Sequence, residues 1–294
     1  MTAANRPVVV VGDVCVDVIT RATGPLHPGS DTDAVIRWAG GGGGGNIAAW
    51  LASLGVPVTL VARVGDDALG RQQTAELTRC GVRCAFTADP AAATGTIVVL
   101  VGADGERTML ADRGANLRLR TADLPSALPP GGHLHLSGYT LLHDGPRAAG
   151  LAALRRARTA GLTTSVDPAS AAPLSTAGAD RFLRWTRGAD LLLPNLPEAR
   201  LLSGQADPRA AAHALARHYT AVAVTLGPDG ALWASADTVV QVPAERTHAV
   251  DTTGAGDAFA AGLLAGWLTG ADGPTAVRRG VALAATAVTR MGAR

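Results

Sequence analysis

The sequence predicts an α/β protein: a doubly wound, mostly parallel sheet flanked by helices, with a small β lid. Three observations carry this expectation. Strand-length and helix-length apolar segments alternate along most of the 294 residues. The leading strand run is continuously apolar and β-branched, as in strands covered on both faces. Two stretches, about 14–40 and about 94–110, break the alternation with short strand-like runs and turns. No internal repeat, low-complexity linker or strong boundary divides the chain. The expectation is therefore one domain over 1–294 whose β lid is discontinuous in sequence.

The elements follow in order. Pro7 to Ile19, led by Val8, Val9, Val10 and Val11, reads as a buried strand ending among acidic residues. A glycine run then leads to Asn46 and an apolar helix pattern that reaches Leu54 and stops at Gly55. A strand over Val58–Val64 and a helix over Ala68–Cys80, closed by Gly81, come next. Thr96–Val101 and Glu106–Leu110, joined by Ala103, Asp104 and Gly105, have the spacing of a β-hairpin. The second half continues with strand Leu134–Leu136, helix Gly145–Ala160 and strand Thr163–Asp167. Strand Leu191–Pro194, helix Pro208–His218, strand Ala221–Leu226 and a helix after Gly254 complete the pattern.

Composition bounds the function. Hydrophobic residues make up 47% and charged residues 17%, ample for a buried core, and the net charge is only +2. The arginine-rich patches, Arg155, Arg156 and Arg158, and Arg278 with Arg279, lie in helical-looking segments and read as solvated faces. No basic stripe with interleaved aromatics points to nucleic acid. The three cysteines, Cys15, Cys80 and Cys84, form no paired framework, which fits a reducing compartment, and no further pair completes a zinc site. The N-terminus lacks a signal-peptide pattern, and no apolar run reaches the ~20 residues of a membrane span. These readings lead to the expectation of a soluble cytoplasmic protein.

The stretch from Asp251 to Phe259 is the most informative in the chain. Asp251 and Asp257 bracket Thr252, Thr253, Gly254, Ala255 and Gly256, and an apolar helical pattern starts at once. Glycines let the backbone turn tightly and approach a ligand, and a helix start offers unpaired N–H donors and the positive end of its dipole. A carboxylate beside such an anion site suits the removal of a proton from a hydroxyl that attacks the anion, as in phosphoryl transfer to an alcohol. Asp257 reads as that base, and Gly254, Ala255 and Gly256 as the anion-stabilising backbone. Gly40 to Gly45 is a second glycine turn at a helix start, followed by Asn46, which can both donate and accept. Tyr139, after Leu136, Ser137 and Gly138, sits at a strand end where its side chain reaches the site edge.

The stretch around Asp257 closely resembles the second signature of the ribokinase-like (PfkB) family of sugar and nucleoside kinases, and the glycine run resembles the first. The resemblance spans Gly12 to Gly292. It implies the ribokinase-like fold and an ATP-dependent kinase acting on a hydroxyl of an unphosphorylated, ribose- or fructose-like sugar. It places Gly42, Gly43 and Asn46 on the sugar hydroxyls, with Asp17, and Asp13 as a second candidate, accepting from them. Many members carry a lysine where this chain has Gly43, and that departure argues against a phosphorylated acceptor. Arg37 beside the glycine run and Arg107 on the hairpin are the remaining cations weighed for that role.

Further motifs extend the resemblance. Asn195 and Glu198 match an Asn-x-x-Glu motif that implies Mg²⁺ held through water. Thr225, Gly227 and Gly230 match a loop that meets nucleotide phosphates. The 287–293 tail is similar to a family segment that flanks the adenine and supplies carbonyls to a monovalent cation, K⁺ by this resemblance, beside Asp251 and Thr253. Val281 stands where a ribokinase has an adenine-contacting asparagine, which loosens base discrimination. The family's lid strands often pair across subunits, so a homodimer is expected. The alternative acceptor is an adenosine-like nucleoside on the same fold, with Trp38 as its aromatic partner. Asp257, Asp17, Asn46 and the anion-site glycines, all present, argue against an inert family member. The histidines, among them His133, His135 and His143, show no ligand spacing and read as structural.

Overall fold

The computed structural model describes residues 6–102, 107–245 and 247–294; the hairpin turn expected at 103–105 lies outside them, as does the Arg107 side chain. The chain forms two sheets. Strands β1 (Val8–Val11), β4 (Val58–Gly65) and β5 (Arg83–Asp89) lie in one sheet with β8 (His133–Ser137), β9 (Thr163–Asp167), β10 (Leu191–Leu192) and β11 (Ala221–Thr225). β12 (Ala231–Ala234) and β13 (Val239–Val242) complete it, in the order β13-β12-β11-β10-β9-β8-β1-β4-β5. Every pairing from β5 to β11 is parallel, and only the β11–β12 and β12–β13 pairings at the edge are antiparallel. The second sheet holds β2 (Cys15–Ala22), β3 (Ala34–Gly41), β6 (Gly95–Val101) and β7 (Arg107–Asp112), ordered β3-β2-β6-β7.

Helices cover both faces of the large sheet. One apolar cluster packs α4 (Asp144–Thr159) and α8 (Pro208–Ala216) under strands that include β8, β9 and β11. The other packs α1 (Gly43–Ser53), α9 (Ala255–Leu268) and α10 (Gly273–Ala287) under β1, β4 and β12. Coverage on both faces is why β1 is four valines, all buried. Because β1 pairs with β4 on one side and β8 on the other, the chain reverses direction across the sheet there. A crevice opens at the carboxyl ends of strands at such a switch point.

Two expected boundaries move. The single strand expected over Pro7–Ile19 is two strands in two sheets, β1 and β2, with a break at 12–14. At the break the Asn116 side chain replaces a strand partner: Val14 N–H donates to its Oδ1 (3.0 Å), and its Nδ2 donates to the Val14 carbonyl (2.9 Å). The helix expected after Asn46 begins at Gly43, so the last glycines of the run form its first turn. Gly42 has φ +85°, and a Cβ at Gly44 would stand 2.8 Å from Gly12 backbone, so side chains are excluded at both positions.

The expected lid segments, 14–40 and 94–110, coincide closely with the second sheet. Elements absent from the expected order include α3 (Tyr139–Leu142), α5 (Ala171–Ala177), α6 (Ala179–Trp185), α7 (Leu196–Ser203), β5, β12 and β13. Among the described residues, no helix is long and apolar enough to cross a membrane.

Candidate active site

The carboxyl ends of the parallel strands bring most of the expected site residues together. Gly12 and Asp13 follow β1, Ser137 ends β8, Asp167 ends β9, and Thr225 ends β11. Asp13 anchors the glycine turn: its carbonyl accepts from Gly45 N (3.1 Å), and its Oδ1 accepts from Ser137 Oγ (3.1 Å) and Gly44 N (3.4 Å). Its Oδ2 faces Arg113 at 3.5 Å.

Asp257 lies in the first turn of α9, whose N-cap, Gly254, has φ +72°. Its Oδ2 accepts from Asn46 Nδ2 at 2.8 Å, which ties the two glycine signatures together. Burial pushes its carboxyl up to about 8; Asp167, Asp13 and Asp17 add to the rise, and the Asn46 hydrogen bond opposes it. A methyl placed on Gly43 would lie 3.5 Å from Asp257 Oδ1, 3.7 Å from Asp13 Oδ1 and 3.9 Å from Ser137 Oγ. The space a side chain would fill is ringed by two carboxylates and a hydroxyl.

Beyond Asp257, α9 faces a groove of about 610 Å³ lined by Thr225, Gly227, Gly230, Thr252, Ala255, Gly256 and Phe259, with Val281, Ala284 and Val288 as an apolar wall. A Cβ on Gly256 would meet nothing within 4 Å, so its backbone opens toward that groove. The first turn of α9 leaves the N–H groups of Gly256 and Asp257 without intrahelical partners. Ala255 departs from its expected role, since its N–H donates to the Thr252 carbonyl (3.3 Å).

Glu198 lies in the first turn of α7 (Leu196–Ser203) and is buried. Asn195 and Glu198 form a reciprocal cap: Oε2 accepts from Asn195 N (2.9 Å), Oε1 accepts from Asn195 Nδ2 (2.9 Å), and Asn195 Oδ1 accepts from Glu198 N (2.9 Å). Burial and the neighbouring Asp167 raise the Glu198 carboxyl above its ordinary range, and burial raises Asp167. No group of three acidic, His or Cys side chains gathers to ligate a metal among the described residues. That donor set fits a hydrated divalent ion better than a caged one.

Asp251 ties two loops: Oδ1 accepts from Thr253 N (2.8 Å) and Oδ2 from Gly292 N (2.9 Å). Asp17, in β2, is buried with its carboxylate against Gly41, and Oδ1 has no hydrogen-bond partner. Burial raises it to about 6; Arg294 opposes the rise, and Asp13 and Asp251 add to it.

Tyr139 does not reach the space above Gly43. It begins a one-turn helix, stacks beneath the Arg113 guanidinium (3.5 Å to the ring centroid), and lines a small pocket behind Asp13 with His143, Asn116 and Arg63. His133 and His135 are buried in the large sheet. His133 Nε2 and His135 Nδ1 share Ser165 Oγ at 2.7 and 2.8 Å. Trp38 is exposed on the second sheet, and Arg37 contacts Met291 Sδ (3.5 Å) in a cleft between that sheet and the Asp251 loop.

Sequence reasoning missed Arg113, Ser137, Asp167 and Arg294. The strand-end positions of Ser137 and Asp167 were the available signal, whereas no local pattern marks the two arginines.

Comparison with known proteins shows the family of the chain. The pfkB family of carbohydrate kinases matches residues 5–294, and the chain belongs to that family of sugar-kinase phosphotransferases. It is similar to a ribokinase of Mus musculus, 32% identical over 266 residues, covering 87% of this chain and 80% of the relative. Among solved structures, an adenosine kinase of Sinorhizobium meliloti superposes with a TM-score of 0.89 at 28% identity, over 99% of this chain and 96% of that one. A double mutant of a fructokinase from Vibrio cholerae O395, solved with fructose, ADP and a potassium ion, superposes with a TM-score of 0.86 at 27% identity. That match covers 100% of this chain and 95% of the fructokinase.

Proposed function

We propose that this protein transfers the γ-phosphoryl group of ATP to a hydroxyl of an unphosphorylated, ribose- or fructose-like sugar. The observation that carries this reading is the space above Gly43, where Asp257, Asp13 and Ser137 converge. It is rich in acceptors and suits the hydroxyl groups of a neutral polyol. Arg113, the cation that faces Asp13, is already paired with its Oδ2, so a phosphate on the acceptor would meet the carboxylates of Asp257 and Asp13.

The roles follow from position. Asp257 Oδ1 takes the proton of the attacking hydroxyl as its oxygen bonds to the γ-phosphorus, and ADP leaves with the electrons of the broken P–O bond. Asn46 orients Asp257 through its 2.8 Å hydrogen bond. Asp17 accepts from hydroxyls at the far end of the sugar, beside Gly42 and Gly43. The N–H groups of Gly254 and Gly256 face the phosphates, and Thr225, Gly227, Gly230 and Val281 line the nucleotide groove. A divalent ion, Mg²⁺ in this reading, would be held through water near Glu198 and Asp167 and would neutralise phosphate charge. Asp251 and Thr253, tied to the 292–294 segment, are the proposed surroundings of a monovalent cation, K⁺.

The second sheet acts as the lid. Ile36, Trp38 and Leu110 leave an apolar surface on one face of it that fits pairing with a second copy, as a cytoplasmic homodimer without nucleic-acid or membrane partners. A nucleoside acceptor is the second reading, supported by the similarity to an adenosine kinase.

The test is direct competition among acceptors at equal concentration: ribose, fructose and adenosine beside ribose 1-phosphate and fructose 6-phosphate. A neutral sugar should give the highest kcat/KM. A tenfold preference for either sugar phosphate refutes the neutral acceptor, and a preference for adenosine selects the nucleoside reading.

A further inference from the structure

Segment 292–294 crosses beneath both glycine signatures. Gly292 N–H donates to Asp251 Oδ2 (2.9 Å), and the Ala293 carbonyl accepts from Trp50 Nε1 (3.0 Å). Gly254 lies so close that a Cβ there would stand 2.6 Å from that same carbonyl. Arg294 then turns inward with its side chain only 5% exposed. Its Nε faces Glu76 Oε1 at 3.2 Å, its Nη2 bonds Gln73 Oε1, and its Nη1 is buried without a partner.

The guanidinium occupies volume that two glycines leave free. A Cβ on Gly40 would overlap it, and a Cβ on Gly45 would stand 2.5 Å from Nη1. Between those two glycines, Gly41 packs on the Asp17 carboxylate. One short backbone stretch therefore has a buried cation at Gly40 and Gly45 and a buried, unpartnered carboxylate oxygen at Gly41. No salt bridge joins Arg294 to Asp17, so the arginine acts on it through the backbone floor and through its field.

We infer that Arg294 is a positioning residue of the acceptor site: it props the glycine floor and keeps Asp17 in place, charged and aimed at the acceptor. It touches neither substrate nor phosphate. This inference rests on the acceptor site proposed above. It extends that reading by making two glycines of the run, Gly40 and Gly45, a seat for a guanidinium from segment 292–294, in addition to a surface for sugar. The arrangement also explains why the run needs glycine at Gly40, whose backbone needs no positive φ.

The experiment is a double-mutant cycle on the full chain. Wild-type turnover of a neutral sugar is measured first; its absence defeats the functional reading and the inference that rests on it. With that activity in hand, Arg294→Ala should raise the acceptor KM by ~10-fold or more, while the ATP KM and kcat at saturating acceptor stay within about threefold. Arg294→Lys should restore part of the loss, because a cation returns to the seat. Gly40→Ala should raise the acceptor KM in the wild-type background by pushing the guanidinium out. In the Arg294→Ala background it should cost nothing more, since the clash is gone. Binding of a non-hydrolysable ATP analogue reports whether each variant is folded. Additive effects of Gly40→Ala and Arg294→Ala, or an acceptor KM unchanged in Arg294→Ala, would overturn the inference. An ATP KM that rises as much as the acceptor KM would also overturn it, since that pattern marks a general structural role.

Discussion

Asp257→Asn isolates the proton transfer from everything else at this site. The substitution is nearly isosteric, and the amide can turn its oxygen toward Asn46 Nδ2, which now donates to Asp257 Oδ2 at 2.8 Å. That choice places the amide NH₂ over Gly43, a donor where a proton acceptor stood. Loss of a general base typically costs ~10²–10⁴-fold in kcat, or about 3–5 kcal/mol of barrier. The structure points to the lower half of that range, because Asp13 Oδ1 borders the same space above Gly43 and offers a second, poorer base. The assay is steady-state phosphorylation of the best neutral sugar, with the ATP KM measured alongside. Wild-type kcat/KM for the acceptor should rise as pH increases through about 8, because the carboxyl must be ionised to accept the proton. The variant should lose that limb. A carboxyl raised this far also costs stability once it ionises: its contribution is complete below the unfolded value of about 3.9 and is lost as pH rises through about 8. Asp257→Asn should therefore raise stability at pH 8 by on the order of 1 kcal/mol after allowance for its partial exposure, read as a higher Tm. A kcat within threefold of wild type, or an unchanged pH limb in the variant, would refute the base assignment.

Three further outcomes test other parts of the site. Asp17→Ala should raise the acceptor KM ~10–100-fold and leave the ATP KM alone, since a hydrogen bond to a charged group is worth ~1.5–3 kcal/mol; steady-state kinetics with each substrate varied separates the two. Glu198→Gln should raise the Mg²⁺ concentration needed for half-maximal rate several-fold while acceptor binding is unchanged, read by Mg²⁺ titration at fixed ATP. Burial holds His133 well below its ordinary value and His135 near 4, so the neutral pair stabilises the fold above about pH 6.5, and that stability is lost as pH falls. For His135 the loss is on the order of 2 kcal/mol by pH 4.5, and Tm measured against pH should fall less steeply in His135→Gln than in wild type.

Much of the architecture was legible because it is local. Continuous apolar runs marked β1 over Val8–Val11 and β11 over Ala221–Thr225, since a strand buried on both faces is apolar along its length. The stretch from Asp251 to Asp257 announced a site by itself, because a glycine turn, a helix start and a carboxylate form one contiguous piece of chemistry. Continuous valines could not reveal that β1 and β2 belong to different sheets. The switch depends on Asn116, 102 residues away from Val14, supplying the missing backbone partners. Tyr139 was read toward the site from its strand-end position, yet Arg113 holds it behind Asp13. The glycine run shows the division most clearly. Six glycines in a row signalled close approach of something, and the sequence alone suggested a sugar. Only the tertiary structure brings Arg294 beneath Gly40 and Gly45, because a long-range contact leaves no trace in the spacing of nearby residues.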